Sequence, residues 1–327
     1  MPFLSIVIPC YNVADYLPQT IKSLASLEDA EDVEFIFIND GSTDETLSLI
    51  QSFAKSDSRV RIIDQKNQGV SAARNNAIAI ATGEYMVCLD GDDYLEPDTI
   101  VQLRRACIGA DVVMAPVKIV QNGIATRQPW NIANGVYSVE QFFHTVSLFP
   151  VTPKLVYRTT IIQQNQIRFD VRLKSGEVFD FSLSVLAFSS KISVISTPFY
   201  NYVMRSSSAT HAPNCSADLT SLLILEHIGK IDAPWAHEST CLYTTFKTIN
   251  AFTYNKYLRL RLATPDILDT IDTLLHTPSY LQLLRAIRCC SSVPKLERIL
   301  IAYQLFMPSR FGYQMMCRIN RIFPLLR

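Results

Sequence analysis

The first 116 residues alternate between short apolar runs and segments in which apolar residues recur at helical intervals. The apolar runs have the length of buried strands and cover residues 4–9, 33–40, 60–64, 85–90 and 111–116. A continuous apolar run indicates a strand that is buried on both faces, as in a parallel sheet covered by helices. Strands of this kind alternating with helices predict an α/β sandwich with a mostly parallel central sheet.

Capping and helix-breaking residues mark the predicted helices. Ser42 and Glu45 have the spacing of a capping box, which predicts that a helix begins at Ser42, directly after the second strand. Pro97 and Gly109 predict where the helix before the fifth strand begins and ends. A helical pattern from Asp15 to about Leu27 and a helix that starts at Ser71 and stops at Gly83 complete the set, so each of the first four predicted strands is followed by a helix.

Polar residues stand at the ends of three of the predicted strands. The first strand runs into CYN, the second into NDGSTD and the fourth into DGDD. In open α/β sheets, ligands bind in the crevice beyond the carboxyl ends of the strands. The sequence therefore predicts one ligand site to which all three loops contribute.

The loop after the fourth strand carries four acidic residues within seven positions: Asp90, Asp92, Asp93 and Glu96. Like charges this close repel each other, so they are either well solvated or held together by a cation. The Asp-x-Asp spacing of Asp90 and Asp92 can present oxygens to a Mg²⁺ or Mn²⁺ ion that also binds phosphate oxygens. The loop therefore predicts a metal and phosphate site.

Other residues near these loops suit a nucleotide. Tyr11 can stack on a planar base, and Arg74 can bind a diphosphate through two parallel hydrogen bonds. Asp40 can accept a hydrogen bond from a uracil-like base or from a ribose hydroxyl. It can equally form the turn and cap the helix that follows, and the residues around it leave both roles open.

Composition and missing motifs exclude several other classes of protein. Lysine plus arginine equals aspartate plus glutamate at 30 residues each. The chain therefore lacks the excess of positive charge that would indicate nucleic-acid binding. No GxGxxG follows the first strand and no GxxxxGKS/T occurs, which excludes a Rossmann cofactor site and a P-loop. The amino terminus has the pattern of a strand, and no apolar stretch approaches the about 18 residues of a spanning helix. We therefore expect a cytoplasmic protein.

The segments SIVIPCYN, INDGSTDET, NQGVSAARNNAI and CLDGDDYLEPD, in this order, resemble the family 2 glycosyltransferases with the GT-A fold. The resemblance continues through PKLVYR, NQIRFD, SGEVFDF and ISTPFYNYVMRSSSATH, and so covers about the first 211 residues. It implies a metal-dependent hexosyl- or N-acetylhexosaminyltransferase that uses Mn²⁺ or Mg²⁺. The implied reaction is an inverting transfer from a nucleoside-diphosphate sugar, usually UDP-linked, to a glycan or lipid-linked glycan acceptor. The implied setting is the synthesis of bacterial surface polysaccharide or lipopolysaccharide.

The resemblance also implies roles for individual residues. Carried over position by position, it assigns nucleotide binding to Pro9, Tyr11, Asp40, Arg74 and Asp90. It assigns metal binding to Asp92 of the Asp-x-Asp motif and places Asp93 behind it. Among the histidines, His211 is the one that we expect near the diphosphate.

The late Gly-Glu-Asp motif of the family, whose Asp is the catalytic base, is altered in this chain to Gly176-Glu177-Val178. The residues 176–190 have helical periodicity, which predicts a buried apolar stripe of Val178, Phe181, Val185 and Phe188. Glu177 and Asp180 would lie on the flank of that stripe, where either carboxylate could accept a proton from an acceptor hydroxyl. We favour Glu177, because it adjoins the motif glycine, and keep Asp180 as the alternative.

The chain after the resemblance has a different pattern. We expect a GT-A catalytic domain over 1–212, with a nucleotide-binding half (1–116) and an acceptor half (117–212), followed by an all-α extension over 213–327. From about residue 281 the extension is basic. Its one acidic residue is Glu297, and its basic residues are Arg285, Arg288, Lys295, Arg298, Arg310, Arg318, Arg321 and Arg327. Bulky apolar residues among these charges predict peripheral binding to the anionic inner face of the cell membrane. The alternative is the basic outer face of a small helical bundle.

Two other functions fit parts of this pattern. The replacement of the expected base by Val178 would suit a catalytically silent nucleotide-sugar-binding partner of another glycosyltransferase. A sugar nucleotidyltransferase would share the α/β scaffold, but such enzymes usually carry a glycine-rich basic loop after the first strand. The segment CYNVADYLPQ is neither glycine-rich nor basic.

Overall fold

The computed structural model describes residues 1–145, 154–205, 214–260, 262–288, 295–306 and 310–322. The chain divides into two compact units. The first, called the α/β unit, comprises Met1–Phe142, Thr152–Val171 and Phe181–Ser206. The second, called the helical unit, comprises Phe143–Val151, Arg172–Asp180 and Ser207–Arg327. Three segments of the expected catalytic domain, 143–151, 172–180 and 207–212, thus belong to the helical unit.

The strands of the α/β unit form two sheets. In chain order they are β1 (Leu4–Cys10), β2 (Val33–Asp40), β3 (Val60–Gln65), β4 (Tyr85–Cys88), β5 (Tyr94–Leu95), β6 (Val112–Ala115), β7 (Val117–Gln121), β8 (Ile124–Arg127), β9 (Gly135–Ser138), β10 (Lys154–Arg158), β11 (Lys191–Val194) and β12 (Tyr200–Val203). The large sheet has the order β3-β2-β1-β4-β10-β6-β11-β9, and the small sheet has the order β5-β12-β7-β8. The five predicted strands are confirmed as β1, β2, β3, β4 and β6.

The large sheet is mostly parallel, as predicted. Strands β1 to β4 pair in parallel, and β6 pairs in parallel with β11. The antiparallel strand β10 lies between β4 and β6 and separates the two parallel groups. The sequence pattern did not predict this insertion, because β10 is contributed by a segment that follows the predicted sheet in the chain.

Helices connect the strands. They are α1 (Leu17–Ala25), α2 (Thr46–Ser56), α3 (Val70–Ile80), α4 (Thr99–Ala106), α5 (Val139–Thr145), α6 (Thr159–Gln164) and α7 (Glu177–Leu186). Every residue of β1 and β2 is buried, which accounts for their continuous apolar sequences. The carboxylate of Glu34, near the start of β2, is compensated by Oγ of Ser5 at 2.6 Å and by the guanidinium of Arg61 at 2.9 Å.

The predicted capping box is wrong. Helix α2 begins at Thr46 rather than at Ser42, and no side chain of its N-cap residue accepts a backbone hydrogen bond. The hydroxyl of Ser42 instead accepts a hydrogen bond from the backbone N–H of Asn12 at 3.1 Å. Ser42 therefore connects the loops after β1 and β2 instead of starting a helix.

The predicted apolar stripe on helix α7 is only half correct. Phe181 and Val185 are fully buried, but Val178 is 40% exposed and Phe188 is 57% exposed. Asp180 is buried in place of Val178. The first turn of α7 therefore directs Val178 towards solvent, because the buried position is occupied by an acidic side chain that has a partner in the helical unit.

The helical unit is built from eight α-helices within the described part of the chain. They are α8 (Cys215–Leu219), α9 (Leu223–Ile228), α10 (Ser239–Phe252), α11 (Tyr254–Leu260), α12 (Pro265–His276), α13 (Pro278–Arg288), α14 (Lys295–Phe306) and α15 (Arg310–Ile322). Short 3-10 helices lie at Thr220–Leu222 and Pro234–His237. The apolar residues of α10 to α15 converge on one buried cluster, which includes Tyr257, Ile271, Leu284 and Tyr313.

The basic carboxyl-terminal helices bury their apolar sides within this cluster. Leu283, Ile287 and Met316 belong to it, whereas Arg285 and Arg318 are exposed. Among the helices that the structure describes, none is long and apolar enough to cross a membrane.

Candidate active site

The three polar loops meet at the carboxyl ends of β1, β2 and β4. Oδ1 of Asn12 accepts a hydrogen bond from the backbone N–H of Thr43 at 2.8 Å, and the N–H of Ala14 donates to Asp44 at 3.0 Å. The turn after β4 lies against the end of β1, since a Cβ atom at Gly91 would stand only 2.9 Å from Sγ of Cys10. Only glycine permits this approach without a shift of the neighbouring atoms.

The acidic turn after β4, Asp90–Asp93, is held rigidly from three directions. The N–H of Asp93 donates to the carbonyl of Asp90 at 2.9 Å and closes the turn. Thr20 of α1 donates its hydroxyl to the carbonyls of Gly91 and Asp93 at 3.0 and 2.7 Å. The hydroxyl of Tyr200 on β12 accepts from the N–H of Asp90 at 3.2 Å and donates to Oδ2 of Asp93 at 2.5 Å. The turn is therefore preorganised without a ligand.

Two cations of the α/β unit compensate Asp90. Nη2 of Arg74 on α3 donates to Oδ1 of Asp90 at 2.9 Å, and the ammonium of Lys154 lies 3.7 Å from the centre of the Tyr200 ring. Burial alone would raise the pKa of Asp90, but the charges of Arg74 and Lys154 outweigh it and lower that pKa. Burial lowers the pKa of Lys154, and the charge of Asp90 opposes this shift.

Asp92, the predicted metal ligand, is ion-paired with Arg205. The guanidinium of Arg205 also lies over the ring of Tyr16, 4.6 Å from its centre. Burial and the negative charge of Asp90 raise the pKa of Asp92, and Arg205 counteracts only part of that shift. Asp92 is therefore a partly buried carboxylate beside a second negative charge, with Arg205 as a cationic partner.

Asp93 supports the turn from inside. It is 1% exposed, and its Oδ1 accepts the backbone N–H of Val203 at 2.8 Å. Burial together with the charges of Asp90 and Asp92 raises the pKa of Asp93 to about 8. The role of Asp93 behind a metal ligand stays a prediction.

The remaining predicted nucleotide residues of the first two loops differ in exposure. Tyr11 is 50% exposed, whereas Pro9 is buried at the end of β1. Asp40 is 3% exposed, and its carboxylate accepts hydrogen bonds from Nε2 of Gln65 and from the backbone N–H groups of Gln68 and Gly69 at 2.8–2.9 Å. Because a carboxylate has about four lone-pair positions, Asp40 can organise this loop and still accept one further donor.

Glu177 and Asp180, the two candidate bases, belong to the helical unit. Glu177 is the first residue of α7 and is half-buried. Oδ1 of Asp180 lies 2.7 Å from Nδ1 of His227 on α9, so this carboxylate is engaged with an imidazole. The choice of Glu177 over Asp180 as the base stays a prediction. His211 lies outside the described residues.

The chemistry of the acidic turn fits a divalent cation that arrives with a diphosphate. No group of three or more His, Cys, Asp or Glu side chains in the described ranges is arranged to bind a metal. Mg²⁺ commonly takes only one or two carboxylates and completes its coordination with substrate phosphates and water. Asp92 and Asp90 would supply that number, and a bound cation would relieve the repulsion between their carboxylates, which contributes to the raised pKa of Asp92 after burial.

Comparison with known proteins identifies the family. The model of glycosyl transferase family 2 matches residues 5–163, which include the three polar loops and the acidic turn. The chain belongs to glycosyl transferase family 2. Its resemblance to that family in the sequence is thereby confirmed.

Similar proteins support the same assignment. The poly(ribitol-phosphate) beta-N-acetylglucosaminyltransferase TarS of Staphylococcus aureus is 27% identical over 248 residues, which are 73% of this chain and 42% of TarS. Chondroitin synthase of Escherichia coli is 40% identical over 191 residues, which are 55% of this chain and 27% of that enzyme. Two similar glycosyltransferases of Bacillus subtilis are matched over 62% and 64% of their own length. The chain therefore spans less than two thirds of the length of these curated relatives.

Solved structures show the fold. TarS in complex with UDP-GlcNAc matches with a TM-score of 0.75 at 21% identity, over 98% of this chain and 92% of that chain. GalNAc-T7 with UDP, GalNAc and Mn²⁺ matches with a TM-score of 0.54 at 13% identity, over 69% of this chain and 48% of that chain. The chain thus has the GT-A fold with carboxyl-terminal helices, as predicted.

Three residues at these sites had no role in the sequence analysis. Lys154 and Arg205 stand in PKLVYR and in the strand-plus-loop segment that ends at His211, and both segments were recognised as family-like. Their positive charges, opposite an acidic turn, are the signal that could have identified them. No such signal identifies His227. It lies 47 positions after Asp180, and no local sequence pattern links two residues that far apart.

Proposed function

We propose that this family 2 member is an inverting glycosyltransferase that moves a sugar from a UDP-linked donor to a glycan or lipid-linked glycan. The observation that carries the proposal is the preorganised acidic turn Asp90–Asp93 at the ends of β1, β2 and β4, with its cationic neighbours. The complex of TarS with UDP-GlcNAc supports the choice of donor. Similarity to TarS and chondroitin synthase supports a role in bacterial surface polysaccharide or lipopolysaccharide synthesis.

The α/β unit would bind the donor. Tyr11 would stack on the base, Asp40 would accept its N–H or a ribose hydroxyl, and Asp90 would bind the ribose. Arg74, which is 4% exposed, would act by holding Asp90 in place. In this proposal residues 1–116 form the nucleotide-binding half of the catalytic domain, and 117–212 form the acceptor half.

The leaving diphosphate would be stabilised by positive charge. Asp92, with Asp90 beside it, would hold Mn²⁺ or Mg²⁺, and such an ion supplies positive charge to the departing diphosphate. Lys154 and Arg205 would add two further positive charges near the same turn. Preorganised charge of this kind is often the largest single contribution to catalysis.

The acceptor hydroxyl would be deprotonated by Glu177. In an inverting transfer, the hydroxyl oxygen attacks the anomeric carbon on the face opposite the diphosphate, and its proton passes to a carboxylate base. Glu177 replaces the missing Asp of the family motif in this scheme. Asp180 is less suited, because its carboxylate is engaged with His227.

The test is the release of free UDP from a panel of UDP-sugars in the presence of Mn²⁺ and candidate acceptors. We expect acceptor-dependent UDP release with one donor of the panel and inversion at the anomeric carbon in the product. Binding of a UDP-sugar without release under any acceptor would instead indicate a silent partner protein. Formation of UDP-sugar from UTP and a sugar phosphate would indicate a nucleotidyltransferase.

We also propose that the surface of residues 281–327 binds the anionic inner face of the membrane peripherally. The side chains of Arg285, Arg288, Arg298 and Arg318 are exposed in helices α13 to α15. Phe311 is 67% exposed and Ile299 is 58% exposed, so two apolar side chains accompany the charges. Because the remaining apolar face is used in the helical core, the attraction would be mainly electrostatic.

Replacing these four arginines by glutamine should weaken binding to vesicles that contain anionic lipid. Each basic residue near such a surface contributes about 1 kcal/mol, so the combined loss should be large and should shrink as salt increases. The matched control replaces the exposed Lys22, Lys55, Lys66 and Lys191 of the α/β unit by glutamine. Sedimentation with vesicles measures both variants. Equal binding by the two variants, or binding indifferent to salt, would show that these helices form only a structural bundle.

A further inference from the structure

The segment Arg172–Asp180, which carries the altered family motif, belongs to the helical unit. Gly176 within it has a φ of +81°, a left-handed conformation that favours glycine and turns the chain sharply into α7. Glu177 follows that turn directly. The direction of its side chain therefore depends on whatever holds the residues on either side.

Two contacts with the helical unit hold this segment, one on each side of Glu177. Before Glu177, the backbone N–H of Lys174 donates to Oγ1 of Thr220 at 2.9 Å. After it, Asp180 contacts His227 through the 2.7 Å pair of Oδ1 and Nδ1. Both partners come from the short helices between residues 215 and 228, which lie outside the family-model match.

The hydrogen-bond pattern assigns a tautomer to His227. A carboxylate only accepts, so Nδ1 of His227 carries the hydrogen that is donated to Asp180. Nη2 of Arg172 lies 3.3 Å from Nε2 of His227, and a guanidinium only donates, so Nε2 is the acceptor. Its lone pair is thus already used. His227 is suited to orient Asp180 rather than to take a proton from a substrate.

A buried polar cluster adds a third contact, on the same side of Glu177 as Lys174. The carboxylate of Asp218 is 3.0 and 3.1 Å from Nζ of Lys256 and accepts the hydroxyl of Tyr257 at 2.6 Å, and all three residues are at most 4% exposed. Oγ of Ser175 lies 3.4 Å from Oδ1 of the same Asp218. A fully satisfied buried network specifies one geometry, because any shift leaves a charge without its partner.

We propose that His227 is a positioning residue that fixes Glu177 through Asp180. This inference rests on the proposed function, in which Glu177 accepts the proton. It assigns a task to the helices after residue 213 that is independent of any membrane. Donor binding should not depend on His227, because the proposed donor residues all belong to the α/β unit.

The test compares His227→Phe, which keeps a ring of similar volume but cannot donate, with His227→Asn, whose Nδ2 can donate from the position of Nδ1. We expect His227→Phe to lower kcat about 10–10²-fold with unchanged UDP affinity, because small misplacements of a reacting group have effects of this size. His227→Asn should restore most of the loss without shifting the pH profile of kcat. His276→Phe, at an exposed histidine of the same unit, is the matched control.

A second measurement does not depend on turnover. Amide hydrogen exchange in residues 172–182, including the N–H of Asp180 that donates to the carbonyl of Gly176 at 3.1 Å, should accelerate in His227→Phe and return in His227→Asn. Unchanged exchange and wild-type kcat in His227→Phe would overturn the proposal. Equal inactivity of both variants with normal exchange in His227→Asn would also overturn it, since the imidazole would then act chemically. A wild-type protein that never releases UDP refutes the proposed function alone, and the exchange data still decide on positioning.

Discussion

Glu177→Gln should lower the rate of acceptor-dependent UDP release by about 10²–10⁴-fold, the usual contribution of a positioned general base. Glutamine keeps the size and shape of the side chain and can still form hydrogen bonds, but it cannot take the proton of the attacking hydroxyl. The affinity for UDP should stay nearly unchanged, because Glu177 belongs to the helical unit and the proposed donor residues do not. Steady-state kinetics together with calorimetric titration of UDP separate the two effects.

Two variants on the same unit serve as comparisons. Glu226→Gln removes an exposed carboxylate next to His227 and should leave turnover unchanged. Asp180→Asn weakens the contact with His227 and should reduce kcat less than Glu177→Gln does. An active Glu177→Gln together with an inactive Asp180→Asn would move the base three residues along the helix.

Val178→Asp restores the residue that the family motif carries at this position. Because Val178 is 40% exposed, the new carboxylate would be solvated, and the free energy of unfolding should change by no more than about 0.5 kcal/mol. A rise in turnover of the Glu177→Gln variant on addition of Val178→Asp would show that either position can present the base.

Asp92→Asn should lower turnover by about 10²–10³-fold, the range found when one stabilising group is removed from a site of developing charge. Asparagine preserves the shape of the side chain but removes the negative charge that a divalent cation requires. The dependence of UDP affinity on Mn²⁺ should disappear as well. Titration of UDP with and without Mn²⁺, beside the rate measurement, tests both consequences.

The matched control for Asp92→Asn is Asp98→Asn. Asp98 lies in the same acidic segment but is exposed, and its carboxylate accepts a hydrogen bond from Gln102 at 2.9 Å. This variant should keep full turnover and an unaltered response to Mn²⁺. Wild-type activity of Asp92→Asn in the presence of EDTA would contradict a metal at the acidic turn.

Local sequence patterns determined the elements that carry the donor site. The runs at residues 4–9 and 33–40 are buried on both faces, so their hydrophobic content alone identifies them as central strands. In a parallel sheet, the loops after such strands must appear at the same edge. The proximity of CYN, NDGSTD and DGDD therefore followed from strand direction, without knowledge of any individual contact.

The tertiary structure decided which partners these side chains have. Ion pairs of the acidic turn with Arg74 and Arg205, and the insertion of β10 between β4 and β6, join segments whose sequences show no common pattern. Such contacts depend on how elements pack after they form. Local periodicity therefore contains no information about them.

Helix α7 shows the same limit within a single element. Its period was readable from the sequence, and Phe181 and Val185 are buried as expected. Its first turn is rotated relative to that expectation, with Val178 exposed and Asp180 buried, because His227, 47 positions further along the chain, compensates the buried carboxylate. Hydrophobicity alone predicts that a valine is buried before an aspartate is. Only a partner brought close by folding makes the reverse arrangement favourable.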